Sequence, residues 1–385
     1  MKKVLYIFDD INYESGAKKV TVFQMKQLAK MCDVYLLTLT PPNYKLDFLD
    51  SNHIYGKEIW SSTVLYMTAL RKVVADPNYT FIEKIKRCLY SMSIRLGLEQ
   101  IFITGSICRK IEKICMQFDD VIVVSEASKV RKTVSGLNGP KKIQWIHTDY
   151  IRWSQFSEWS RAITKNDKLL YRNYDSVVVL SNYCKMGLNH LLPEIANKTV
   201  VIPNMIDGDN VIEKSQMNSN IKYHTEGIKF ITVARIDKEK RIDIILEIAE
   251  TMKKKGIRFE WMIVGDGPEK EKLEFKKTQK KLDEIIFCGY QENPYSIMSK
   301  SDVLVLTSQY EGTPVTIDEA MVLGLHIIAP DVGGIREQVN GYTNVSLIIN
   351  NDYSVMYNLS SMKNKVQINY VARNQIALKK LEGIL

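Results

Sequence analysis

The sequence predicts an α/β protein built from two doubly wound, Rossmann-like domains. Three observations carry this. Short β-branched runs alternate with longer amphipathic stretches, the pattern of a parallel sheet covered by helices on both faces. That rhythm runs once from "VLYIF" to "TVVIPN" and begins again at "KFITVAR". At 385 residues the chain is also too long for one ordinary core.

Taken in order, the first series of strands is "VLYIF", "VYLLTLT", "DVIVVSEA", "KIQWIH", "SVVVLS" and "TVVIPN". The opening run is too short for a signal peptide and is stopped by Asp9 and Asp10, so it reads as a first buried strand. Residues 207–226 are polar and without periodicity, which predicts a linker. The second series is "KFITVAR", "FEWMIVGDG", "EIIFCGY", "DVLVLTS" and "LHIIAP". We therefore read 1–206 as an N-terminal Rossmann-like domain, 207–227 as linker, 228–368 as a C-terminal Rossmann-like domain, and 369–385 as a helix crossing back to the first domain. Such domains bind ligands beyond the carboxyl ends of their strands.

With 45% hydrophobic and 25% charged residues, composition excludes global disorder and a membrane bundle, and no apolar run approaches the roughly 18 residues that span a bilayer. Six cysteines are scattered without a C-x-x-C pair, which points to a reducing cytoplasm and away from structural zinc. The net charge of +9 is uneven: residues 1–190 hold 28 Lys and Arg against 18 Asp and Glu. That balance suits nucleic acid, an anionic membrane surface or a phosphorylated substrate, but no nucleic-acid reading motif accompanies it. Residues 81–98 read as an amphipathic helix, with Phe81, Ile82, Ile85, Leu89, Met92 and Leu96 on one face and Lys84, Lys86, Arg87 and Arg95 mostly on the other. The plain expectation is that this stripe packs on its own domain; the alternative is a helix lying on an anionic membrane.

The chemistry concentrates in the second half. "VARIDKEKRID" puts Arg235 just past a strand and Lys240 where the next helix begins, and two cations at such an edge suit a diphosphate. "VGDGP" and "CGYQEN" are glycine turns after strands, the second carrying Gly289 and Tyr290. In "YEGTPVTIDEA" the proline suits a helix start, so the amides around Gly312, Thr313, Pro314 and Val315 offer an anion site. Glu311 and Glu319 flank that site. A carboxylate touching a phosphate is repelled, so the two acids must face neutral donors, and sugar hydroxyls are such groups. A nucleotide sugar carries hydroxyls on both sides of its diphosphate.

The ordered series "VARIDKEKR", "VGDGP", "CGYQEN", "SDVLVLTSQYEGTPVTIDEAMVLG" and "APDVGGIRE" resembles the retaining glycosyltransferases of family 4, which have the GT-B fold of two Rossmann-like domains facing a central cleft. Glu311 and Glu319 match that family's E-x7-E pair. In the first half "YESGAKKV" is similar to the family's glycine-rich loop and "WIHTDY" to its histidine segment. The resemblance implies that Arg235 and Lys240 neutralise the diphosphate, that Glu319 holds the ribose and Glu311 the transferred sugar, and that Gly16 and the amides after Gly312 add phosphate contacts. It further implies that His147 reaches the sugar and that Tyr290 borders the base through its backbone. The first loop departs from the family in having Ala17 and Lys18 where relatives have a second glycine and an acid.

The expected reaction is transfer of a hexose or N-acetylhexosamine, from a UDP-linked donor in the first instance, to a saccharide or lipid-linked saccharide acceptor with retention of configuration. A non-catalytic partner subunit, a nucleotide-sugar epimerase and a sugar hydrolase remain as alternatives. No cofactor or metal is expected; "DGD" at 207–209 has the D-x-D pattern of another transferase fold but reads as a turn in the linker. A cytoplasmic protein, peripheral at the inner face of the membrane, is the matching location.

Overall fold

A computed structural model of the chain describes residues 1–60, 63, 70–95, 105–357 and 365–385. It divides into two compact units, Met1–Met205 with Ala377–Leu385, and Ile206–Ile376.

The first unit holds a parallel sheet of β1 (Lys3–Phe8), β2 (Asp33–Thr38), β3 (Ile54–Tyr55), β4 (Asp120–Val123), β5 (Lys141–Trp145), β6 (Ser176–Val179) and β7 (Thr199–Val201), in the order β3-β2-β1-β4-β5-β6-β7. Alternation along β1 sorts its side chains between two cores: Leu5 and Ile7 enter one, Val4, Tyr6 and Phe8 the other. Both faces are covered, which is why the strand reads as an unbroken apolar run.

The second unit repeats the scheme with β8 (Ile228–Val233), β9 (Phe259–Val264), β10 (Ile285–Gly289), β11 (Val303–Val305), β12 (His326–Pro330) and β13 (Val345–Ile348), ordered β10-β9-β8-β11-β12-β13. Trp261 and Ile263 face one core while Met262 and Val264 face the other. Strands β3 and β13 were not expected. The first is two residues long, and the second is a short edge strand interrupted by Ser346, so neither carries a clear apolar pattern.

Two further expectations are corrected. Part of the stretch read as linker is the helix Gly208–Ser215, capped by the Asp207 side chain on the Asn210 amide, with Val211 buried in the second unit's core. Asp209 accepts a hydrogen bond from the Tyr370 hydroxyl at 2.7 Å, so the D-G-D run is a helix start. The helix Phe81–Arg95, in turn, does not bury its apolar stripe: Phe81, Ile82, Ile85, Leu89 and Met92 are exposed, whereas Arg87 and Tyr90 are buried. Leu96, Gly97 and Leu98 lie outside the described residues. The helix Tyr370–Glu382 closes the chain, with Asn374 bonded to both backbone groups of Ile206 and with Ala377 and Leu381 in a core of the first unit.

Candidate functional site

In each sheet the connections run outward from a central strand and then return to its other side. In the second unit this leaves β8 and β11 as neighbours at the switch point, where the loops beyond their carboxyl ends part to form a crevice. Arg235 lies two residues past β8, and Lys240 ends a short 3-10 turn, Lys238–Lys240, capped by Asp237. Glu311 follows β11. The Lys240 ammonium donates to Glu311 Oε1 at 2.6 Å, and the Thr307 hydroxyl donates to the Lys240 carbonyl at 2.7 Å. One ion pair and one hydrogen bond thus run from Lys240 to the loop on the other side of the switch point. Burial pulls the Lys240 pKa down, but Glu311, assisted by Glu239 and Asp237, more than reverses this and holds the ammonium above the ordinary lysine range.

Arg235 is held differently. Its guanidinium bonds to Asp237 and, at 3.0 Å, to Glu239, yet 56% of the side chain stays exposed. Glu239 is fixed in turn by the Tyr310 hydroxyl at 2.5 Å, and its carbonyl accepts from the Gln309 amide. The fork is therefore anchored at its base and open at its face.

The loop after Glu311 is braced from behind. Pro314 is the cap residue before the helix Val315–Leu323, with ψ of 125°, and so stands one position ahead of the first helical turn in which it was expected. The first amides of a helix lack the usual intrahelical acceptor; here the Ile317 amide donates to the Pro314 carbonyl at 3.0 Å. Gly334 donates to the Gly312 carbonyl at 2.8 Å, and the Gln338 side chain donates to the Pro314 carbonyl at 2.9 Å. Gly333, at φ +58°, packs so closely that a Cβ there would lie 1.7 Å from the Glu311 carbonyl oxygen. On the far side of β8, Cβ atoms at Gly265 and Gly267 would lie 1.9 and 2.3 Å from the carbonyls of Ala234 and Ile236. The Gly265 amide also donates to Gly289, which precedes the 60% exposed Tyr290. Backbone, not side chains, sets these positions.

Within the helix, Glu319 is buried and accepts from the Tyr295 hydroxyl at 2.7 Å. Its neighbour Asp318 is pushed up to about 6 by burial, only partly opposed by Arg373 at 3.8 Å and by Gln338.

The first unit has its own switch point, between β1 and β4. Gly16 is the first residue of the helix Gly16–Leu28, capped by Ser15. Lys18, where the family has an acid, bonds to Glu14 and lies 4.4 Å from the Tyr44 ring centroid. His147 follows β5; its amide donates to Glu126 Oε2 at 3.2 Å, and the Thr148 hydroxyl donates to Glu126 Oε1 at 2.7 Å. The imidazole stacks near Trp145, and its Nε2 is buried without a hydrogen-bond partner among the described residues. Burial lowers its pKa despite Glu126 and a bond to the Val124 backbone, so the ring is neutral near pH 7.

Arg235, Lys240, Glu311 and the 312–315 loop thus meet at one switch point, with Gly289 and Tyr290 at the end of β10 and Glu319 inside the following helix. In the other unit, His147 stands at a strand end and Gly16 at a helix start. Sequence reasoning missed Glu239, Tyr310, Tyr295 and Glu126. The i, i+4 spacing of Arg235 and Glu239 was a readable signal; the others act across 20 or more residues.

Residues 214–357 match the family model described as glycosyl transferases group 1. An uncharacterized glycosyltransferase of Methanocaldococcus jannaschii is 26% identical over 227 residues, covering 58% of this chain and 56% of that protein. A poly(ribitol-phosphate) alpha-N-acetylglucosaminyltransferase of Staphylococcus aureus is 30% identical over 153 residues, 37% of this chain and 30% of that one. The chain thus spans about half the length of the first of these relatives and less of the second. Among solved structures, an Anabaena protein in complex with UDP-glucose matches with a TM-score of 0.65 at 15% identity, covering 100% of both chains. With its two all-parallel sheets, this chain has the GT-B fold, and the match to group 1 glycosyl transferases lies within its second unit.

Proposed function

We propose that the protein is a retaining glycosyltransferase that moves a hexose or N-acetylhexosamine from a UDP-sugar to a saccharide or lipid-linked saccharide in surface-polysaccharide synthesis. The observation that carries this reading is the Lys240–Glu311 pair at the switch point of the second sheet, 2.6 Å apart beside the exposed Arg235 fork. The group 1 match over 214–357 supports the activity, and the UDP-glucose held by the Anabaena protein supports the donor class. The Staphylococcus aureus relative's name supports an acceptor in the cell envelope.

In this reading Arg235, Lys240 and the amides opening Val315–Leu323 receive the diphosphate, and Gly312 lets its oxygens approach. The bond between the anomeric carbon and the phosphate oxygen breaks, with its electron pair leaving on that oxygen. The acceptor oxygen bonds to the same face of the sugar, and its proton passes to the departing phosphate. Positive groups already fixed in place stabilise the developing charge without reorganising, so this pair of cations does the work for which a metal would otherwise serve. Glu311 holds sugar hydroxyls; Glu319, oriented by Tyr295, takes the ribose.

The test is thermal stabilisation across UDP-, GDP- and ADP-sugars. The true donor at 100 times its Kd adds about 2.7 kcal/mol, and Lys240→Met abolishes the shift. Stabilisation by none of them, or release of free sugar from a simple glycoside without nucleotide, overturns the proposal.

A further inference from the structure

The helix Phe81–Arg95 is built inside out. Its start is ordinary: Thr80 and Glu83 form a reciprocal cap, Glu83 accepting from the Thr80 amide at 2.8 Å and the Thr80 hydroxyl accepting from the Glu83 amide. The side it turns to the protein is the polar one. Arg87 is 8% exposed and Tyr90 1%, with the Arg87 guanidinium 5.2 Å and the Lys129 ammonium 5.5 Å from the Tyr90 ring centroid. At 100° per residue, Phe81, Met92, Ile85, Leu89 and Ile82 fall within an arc of about 100°, and their exposures run from 43% to 77%. Single exposed apolar residues need no explanation, but five on one arc of one helix do.

Charge identifies the occupant. On the helical projection Lys84 and Lys86 border the apolar arc on its two sides, while the helix's one acid, Glu83, falls on the far side and is occupied by Thr80. The neighbouring helix Leu70–Ala75 contacts this one and adds exposed Arg71 and Lys72. An apolar strip with a cationic rim complements a layer with an apolar interior and anionic headgroups. A protein partner rich in acids would match the rim but leave the strip without a counterpart.

We propose that this face docks on an anionic membrane surface, with the five apolar side chains entering the headgroup boundary and the lysines pairing with lipid phosphates. The proposal deepens the reading of the acceptor as lipid-linked and rests on it for its purpose, though binding itself needs no catalysis.

The experiment is flotation of the full chain with vesicles of equal parts phosphatidylglycerol and phosphatidylcholine, run beside the nucleotide-sugar shift. The expected result is binding that weakens with salt, is much weaker on phosphatidylcholine alone, and falls about 10-fold for each apolar residue changed in Ile85→Glu and Leu89→Glu. Lys84→Glu/Lys86→Glu gives an independent reading of about 5-fold or more for each lysine. Because all four positions face solvent or border it, unchanged melting temperatures are expected. No flotation at low salt, binding that ignores both pairs of substitutions, or a dimer dissociated by Ile85→Glu would each overturn the proposal. A protein that responds to a nucleotide sugar but does not float defeats the docking face alone; one that floats but responds to no donor defeats the functional reading.

Discussion

The two units carry the same topology up to their switch points and then fix their loops by different means. In the second unit, Gly265, Gly267 and Gly333 let one backbone lie directly against another, and the Lys240–Glu311 pair closes the gap between the loops after β8 and β11. In the first, the corresponding loops are tied by carboxylate side chains: Asp9 accepts from the Ser128 hydroxyl at 2.6 Å and the Lys129 amide at 2.9 Å, and Glu126 accepts from the His147 amide and the Thr148 hydroxyl. Backbone-on-backbone contact admits only glycine, whereas a carboxylate holding an amide could be replaced by several residue types. A more rigid loop edge in the second unit and a more adaptable one in the first follow from that difference.

The strongest way to break the comparison is at its central pair. Under the proposed function, Lys240→Met should lower turnover about 100-fold or more, since a fixed charge facing the leaving group would be lost. It should also destabilise the second unit by roughly 1–3 kcal/mol, because Glu311 is left mostly buried without its partner. Adding Glu311→Gln should recover most of the stability and none of the turnover. If the double variant stayed as unstable as the single one, the pair would not be what joins the two loops.

Next comes the backbone brace. Gly333→Ala combines a left-handed φ with a Cβ 1.7 Å from a carbonyl oxygen, for an expected loss of roughly 2–4 kcal/mol and a fall in turnover as the 311–314 loop shifts. Gly341→Ala is the control. It shares a positive φ of 80° but would meet nothing within 4 Å, so about 1 kcal/mol and unchanged turnover are expected. Equal losses at both positions would show that φ strain alone matters and that Gly333 does not position Glu311.

The same contrast explains what could be read in advance. The α/β class and eleven strands were legible because both sheets are buried on two faces and write apolar runs into the sequence. Arg235, Lys240, Glu311 and the glycines stood out because strand ends and close approaches restrict residue type. Tyr310 on Glu239 and Tyr295 on Glu319 were not legible, since tyrosine suits many half-buried positions and the partners lie 71 and 24 residues away. The helix Phe81–Arg95 shows a further limit: periodicity gives an apolar face but not the side of the helix that meets the protein.

Titration separates the units with a smaller effect. Asp318 in the second unit has its pKa raised to about 6 by burial, above an unfolded value of about 3.9. Between these values the folded state holds more protons, so stability falls as pH rises from about 4 to about 6, by at most about 2–3 kcal/mol. His147 in the first unit has its pKa lowered by burial. Its contribution has the opposite slope, full above pH 6.5 and lost as pH falls toward the folded value. Asp318→Asn and His147→Gln, each unfolded in urea across pH 4 to 7 and compared with the parent, should remove slopes of opposite sign. Two slopes of one sign would mean that one of the groups is not buried as described.

The smallest effect expected is at Tyr290. It follows Gly289, whose left-handed φ of 67° and bond to the Gly265 amide fix the turn by backbone alone, while its own ring is 60% exposed. Tyr290→Ala should therefore stay within about 0.5 kcal/mol in stability and, if the base meets this turn through main-chain groups, change KM for the donor no more than about 3-fold with kcat unaltered. Gly289→Ala places a side chain in the left-handed region at the same turn and should cost about 1 kcal/mol while raising KM more. A large KM effect from Tyr290→Ala with none from Gly289→Ala would reverse the assignment, making the exposed ring and not the backbone the surface that reads the base.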